Sequence, residues 1–146
     1  MNKKQLVIAC LVLLGIANTE YVLANNRYYV ADFDNDKTVE LFVDKFKKAV
    51  ISKDKDIVAS MIKYPVEANF QDKKVIISNA KEFIKLYDDV FNGDLVNKIA
   101  SFPTSNMFAN YQGVMLGNGE VWFGRDGNNI KIVAVGACRR LDLDYK

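Results

Sequence analysis

Asp32, Asp34 and Asp36 alternate along DFDNDK, the spacing at which carboxylates open a calcium loop as hard oxygen ligands. Counted from Asp32, the sixth position is Lys37, where such a loop turns on glycine. The twelfth is Val43, where it needs a bidentate glutamate. A helix start explains the same residues at lower cost, with Asp36 as the expected N-cap and Glu40 favourable in the first turn. Metal binding is therefore not expected. Gly113, Gly117 and Gly124 in GVMLGNGEVWFG raise a similar question for phosphate, but their spacing matches neither nucleotide fingerprint and no helix N-terminus follows them. Histidine is absent from all 146 residues. That excludes a Ser-His-Asp triad, a Cys-His pair, imidazole-liganded zinc and a histidine general base. Acid-base chemistry would have to rest on carboxylates, lysines or tyrosines. Asp88 and Asp89 follow Tyr87 directly, whereas Tyr64, Tyr111 and Trp122 fall in other stretches. No cofactor is implied.

The chain that must position these groups begins MNKKQLVIACLVLLGIANTEYVLANN. Two lysines, an apolar run from Leu6 to Ala17 and small residues ending at Ala24 make residues 1–24 an expected secretory signal peptide. The run is about a dozen residues, short of the roughly 20 a spanning helix needs, so no stable membrane insertion is expected after cleavage. VIAC ending at Cys10 resembles a lipobox, but most of the hydrophobic run would lie beyond that cut; export to the periplasm or medium is the leading expectation, with a lipoprotein at Cys10 the alternative. Cleavage removes Lys3, Lys4 and Glu20, which leaves a net charge of about +1. That balance lacks the clustered lysine and arginine that phosphate neutralisation demands, so nucleic acid is not an expected partner. The remaining residues, about 120, suit one domain with its own core. Cys138 is the only cysteine left, so no intramolecular disulfide can form; it is either a small buried apolar group or a reactive thiol.

Residues 25–37 are expected as an extended lead-in. From Thr38 the period turns helical, with Val39, Phe42, Val43, Phe46, Ala49 and Val50 on one face and Asp44, Lys45, Lys47 and Lys48 on the other. The basic side could suggest a membrane surface, but interleaved acids favour a solvated face. A second short helix should start at the Asp54 cap, bury Ile57, Val58, Met61 and Ile62, and end at Pro65. VEANFQDKKVIIS should form two strands around a turn at Gln71 to Lys74. Asn79 with Glu82 has capping-box geometry for a helix that buries Phe83, Ile84, Tyr87, Val90 and Phe91 and stops at Gly93. A further helix should run from Asp94 to Ala100.

After Pro103 strands take over. Asn118-Gly119 between VML and VWF predicts a type I′ hairpin, because both residues tolerate positive φ. Asp126-Gly127 predicts a second turn, so three strands form a meander, with NMFANYQG as a fourth. The glycines of GVMLGNGEVWFG thus have a structural explanation that needs no ligand.

Helices, a short hairpin, more helices and a long antiparallel sheet make an α+β domain. Over residues 38–140 the helical opening, YPVEANF, NAKEFIKLYDDVF, MLGNGEVWF and IKIVAV resemble the NTF2-like cone fold, in particular its small exported bacterial members. Residues 141–146 are left as a tail. The resemblance implies N-terminal helices packed against a curved antiparallel sheet, with an apolar cone whose mouth can take a small molecule. Tyr64, Tyr87, Tyr111, Trp122 and Arg125 are the amphipathic side chains that such a mouth would use. A few members of the fold are isomerases or dehydratases. An isomerase-like site would pair a carboxylate base with a phenol that hydrogen-bonds an oxyanion, and no such placement is visible here. The expected function is an exported, non-catalytic binding protein for a small apolar ligand, or an accessory module. The alternatives are a periplasmic immunity or inhibitor protein with a protein partner, and an enzyme using a carboxylate and a tyrosine. A homodimer is compatible with each.

Overall fold

The structure is a computed structural model that describes residues 26–71 and 73–136. The expected signal peptide, Cys10, Cys138 and the tail lie outside the described residues. The chain runs through α1 (Asp36–Ile51), α2 (Lys55–Ser60), β1 (Ile62–Phe70), β2 (Lys73–Ile77), α3 (Ala80–Val90), α4 (Gly93–Ser101), β3 (Phe108–Asn110), β4 (Gly113–Leu116), β5 (Val121–Asp126) and β6 (Asn129–Val135). Short 3-10 turns occupy Tyr29–Ala31 and Thr104–Asn106.

Each α-helix begins on a side chain that accepts a hydrogen bond from the first turn. Asn35, Asp54, Asn79 and Asn92 accept from the amides of Thr38, Ile57, Glu82 and Leu95 at 3.3, 3.0, 3.0 and 3.0 Å. Such caps stabilise a helix start by about 1 kcal/mol apiece. Glu82 reaches back to the amide of Ser78 at 2.8 Å, closing the box. The cap of α1 is Asn35 instead of Asp36, because the Asp36 carboxylate takes the backbone N–H groups of Arg27 and Tyr28 at 2.9 and 3.2 Å. These bonds fold the lead-in back on the domain, and Tyr28 and Phe33 join the core, so this stretch is not merely extended. Gly93 also departs from expectation. It opens α4 beneath the Asn92 cap, and α3 has already ended at Phe91.

The strands form one curved, unclosed six-stranded sheet in the order β2-β1-β6-β5-β4-β3. It is mixed, which corrects the wholly antiparallel expectation: β6 runs parallel to β1 while every other pair is antiparallel. The two helices and the meander between β1 and β6 supply the long crossover that a parallel pair requires. Pro65 does not end α2, which stops at Ser60; it lies within β1. There the pairing with β6 lapses between Ile62 and Glu67, so the missing proline N–H costs no ladder bond to that strand.

The β4–β5 hairpin forms where expected, but its loop has four residues, Gly117 to Glu120, closed by the pair Leu116 and Val121. Positive φ falls on Gly117 and Gly119 and not on Asn118, so the turn is not type I′. The Glu120 carboxylate instead accepts the Asn118 N–H and closes the loop. Gly113 has φ +139°, and a Cβ there would collide with the carbonyl of Phe123 on the neighbouring strand.

Candidate functional site

The apolar stripe of α1 packs with α3 and α4 against the inner face of the sheet, through Val114, Leu116, Val121, Phe123, Ile132 and Val135. The space between helices and sheet is occupied by linked aromatic rings. Phe123 meets Phe42 and Phe46 edge-on at centroid distances of 5.9 and 5.6 Å, and Phe46 meets Phe91 at 6.1 Å. Phe91 meets Phe83 edge-on at 5.9 Å and stacks on Tyr87 at 5.1 Å with 19° between the rings. Phe46, Phe83 and Phe123 are fully buried. Each such aromatic pair contributes about 0.5–1.5 kcal/mol beyond area burial.

Tyr87 belongs to this cluster. Its ring is buried in the apolar stripe of α3, Lys55 Nζ sits 5.3 Å above the ring centroid, and its hydroxyl oxygen is buried with no hydrogen-bond partner among the described residues. Burial pushes its pKa up, and the nearby charges of Asp88 and Asp54 act in the same direction. Asp88 itself lies on the exposed side of α3 and pairs with Lys55 at 2.6 Å. Tyr64, half-buried on β1, donates its hydroxyl to the carbonyl of Ala59 at 3.1 Å. Burial raises its pKa to about 12. It stays a neutral phenol with its proton committed to a backbone oxygen.

The other three candidates lie elsewhere. Tyr111 projects from the β3–β4 turn and is 84% exposed. Trp122 alternates with the inward Val121 and Phe123, so it stands on the outer face of the sheet, where Met115, Val133 and Ala134 surround it. It is 7% exposed, and its indole nitrogen has no partner among the described residues. The strand register puts Phe108, Met115, Trp122, Ala134, Glu67 and Ile76 in one row across that face. Arg125 donates to the carbonyls of Asp32 and Gly127 at 2.7 and 3.3 Å and lies 3.6 Å from the Asp32 carboxylate, so it fastens the lead-in to the β5–β6 turn. The five side chains therefore serve four separate places. Tyr64 and Tyr87 both adjoin α2; the rest do not join them.

Several solvent-open hollows that the sequence did not single out lie among the described residues. One, of about 420 Å³, lies between α4 and the β4–β5 loop and is lined by Asn69, Asn92, Leu95, Lys98, Asn118 and Glu120. Lys98 Nζ stands 3.4 Å from one Glu120 oxygen while the Asn118 amide holds the other, so this carboxylate is already spent on closing the loop. Another, of about 440 Å³, runs along the outer side of α1 and α2 and is lined by Leu41, Lys45, Lys48, Ala49, Ser52 and Ile57. The basic face of α1 was legible in the sequence; Ile57, expected on the buried side of α2, is instead exposed beside that face, and Val58 and Ala59 take the buried side.

Among the described residues no group of three or more His, Cys, Asp or Glu side chains is placed to hold a metal ion. No described helix is long and apolar enough to cross a membrane. No family model, no curated protein and no solved structure matches the chain.

Proposed function

We propose that this is an exported NTF2-like domain that works by binding a protein partner through its surface, without catalysis. The observation that carries this reading is the ring cluster Phe42, Phe46, Phe83, Tyr87, Phe91 and Phe123, which fills the room an apolar ligand would need inside a cone. The curved, unclosed sheet over helices is compatible with such a cone. The phenols speak against turnover: Tyr64 is bonded to a backbone carbonyl and Tyr87 is sealed among rings, and the carboxylates next to Tyr87 in sequence face solvent. Binding would then rest on a surface patch of about 800 Å² per partner, the size of a standard stable interface.

Export rests on the residue pattern of positions 1–24 and is tested with the same preparation. The protein is purified gently from the periplasm and weighed by native mass spectrometry, then denatured. A mature chain beginning near Asn25, carrying a second protein or a second copy of itself, is the expected result. A stoichiometric small molecule released on denaturation would overturn the reading in favour of ligand binding, a chain that retains residues 1–24 would overturn removal of the signal peptide, and absence of the protein from the periplasmic fraction would overturn export.

A further inference from the structure

The outward side of α1 exposes apolar as well as charged side chains. Lys37, Leu41, Lys45, Lys48 and Ser52 follow one another at helical spacing along its outer spine. Leu41 is 56% exposed, and Ile51 at the end of the same helix is equally exposed. Beside them α2 contributes Ile57, 38% exposed, although its neighbours Val58 and Ala59 are buried. Between the two helices lies the hollow of about 440 Å³, with Leu41, Ala49 and Ile57 as its apolar surface and Lys45 and Lys48 on its rim. The one acid in its lining, Asp44, already accepts a hydrogen bond from the Thr104 hydroxyl at 3.1 Å. Four other lysines stand in ion pairs, Lys55 with Asp88, Lys63 with Asp126, Lys74 with Glu67 and Lys98 with Glu120, while Lys53, Lys81 and Lys85 stand in none among the described residues and do not line this hollow. Lys37, Lys45 and Lys48 form no ion pair among the described residues.

Two ammonium groups on the rim of an apolar floor, with Lys37 one turn before Leu41 on the same spine, are complementary to a segment that is apolar on one side and acidic on the other. We propose that the α1–α2 groove is the docking surface for an acidic amphipathic segment of a protein partner, which seats apolar side chains between Leu41 and Ile57 and sets carboxylates against Lys45 and Lys48. This rests on the protein-binding reading above and gives that reading a place and a chemistry. A helix laid in a groove with anchors three and four residues apart is a common way for such a segment to bind. The charges would mainly steer encounter and choose the partner, while the apolar contacts hold it.

The probes are a synthetic amphipathic peptide with leucines on one face and glutamates on the other, its counterpart with lysines for the glutamates, and vesicles of phosphatidylglycerol and phosphatidylcholine. Each is titrated against the purified mature protein. The glutamate peptide should bind, the lysine peptide should not, and raising the salt should weaken binding. Lys45→Glu with Lys48→Glu should weaken it about tenfold, as expected for two exposed charge pairs reversed in sign. Lys81→Glu with Lys85→Glu on exposed α3, the same change in net charge, should leave binding intact. All these positions are exposed, so circular dichroism should report an unchanged fold, and Leu41→Ser provides an uncharged variant that should also weaken binding. Failure of the glutamate peptide to bind, equal binding of the lysine peptide, or binding to the vesicles alone would overturn the proposal. Partner capture separates the two levels of inference. A partner retained undiminished by the Lys45→Glu, Lys48→Glu variant refutes the groove and keeps the protein-binding function, whereas a chain that never carries a partner refutes both.

Discussion

Replacing Phe46 with alanine tests the filled interior directly. Phe46 is fully buried on α1 and links Phe123 on the sheet, 5.6 Å away, to Phe91 beyond α3, 6.1 Å away. Losing the burial of its side chain costs about 1.5–3 kcal/mol, and losing two edge-on ring contacts adds about 0.5–1.5 kcal/mol each. The total, about 2.5–6 kcal/mol, spans the roughly 3–5 kcal/mol measured for phenylalanine-to-alanine changes in close-packed cores. A domain of this size has a total stability of about 5–15 kcal/mol, so the variant should fold with much of its margin gone. Urea titration followed by far-ultraviolet circular dichroism gives the difference, provided the slope against denaturant is unchanged. The same variant should acquire a dry hollow able to take a small aromatic such as benzene, which the parent protein should not bind. A loss below about 1 kcal/mol, or benzene bound equally well by both proteins, would mean that the interior already has slack. The space between helices and sheet would then have room for an apolar ligand, which would displace a protein partner as the favoured binding target.

Three further outcomes follow from local geometry. Asn79→Ala should cost about 1 kcal/mol in the same urea titration, because the Glu82 amide loses its acceptor; a cost indistinguishable from zero would show that the cap is not what starts α3. Gly113→Ala should cost about 1–3 kcal/mol, since φ +139° and the Phe123 carbonyl both oppose a side chain, and a neutral result would refute the close approach of β4 and β5. Tyr64 keeps its proton in the folded state up to about pH 12, above the value of about 10 for an unfolded tyrosine. The folded state therefore holds more protons than the unfolded one between these values, and stability falls as pH rises through that window. Screening at this half-buried hydroxyl limits the effect to about 1–2 kcal/mol. Tyr64→Phe should flatten the fall between pH 10 and pH 12 relative to the parent, and parallel curves would refute the burial of this phenol.

What the sequence made legible was local. The stripe from Val39 to Val50, the caps Asp54 and Asn79, and the hairpins at Gly117 to Glu120 and Asp126 to Asn129 each follow from residues a few positions apart. The choice between the neighbouring caps Asn35 and Asp36 was not local, because it depends on the amides of Arg27 and Tyr28, which fold back on Asp36. The parallel pairing of β1 with β6 leaves no mark in either strand, since both are simply apolar and alternating. The same limit applies to the candidate residues. Tyr87 was placed correctly in its apolar stripe, but Arg125 finds its partner in Asp32, 93 residues distant. The outer position of Trp122 follows only from the register of the strands around it.

That parallel seam also sets an order of events. The β1–β2 hairpin and the β3-to-β6 meander can each form from neighbouring residues, but Ile62 must find Ile132 for the two halves to become one sheet. Closing so large a loop is slow relative to making a hairpin. During synthesis no complete core exists until β6 has emerged, and a chain cut short before Asn129 leaves β1 and β5 with unpaired edges facing each other. Such fragments should be held by chaperones or degraded, which makes the last strand a checkpoint on the integrity of everything made before it.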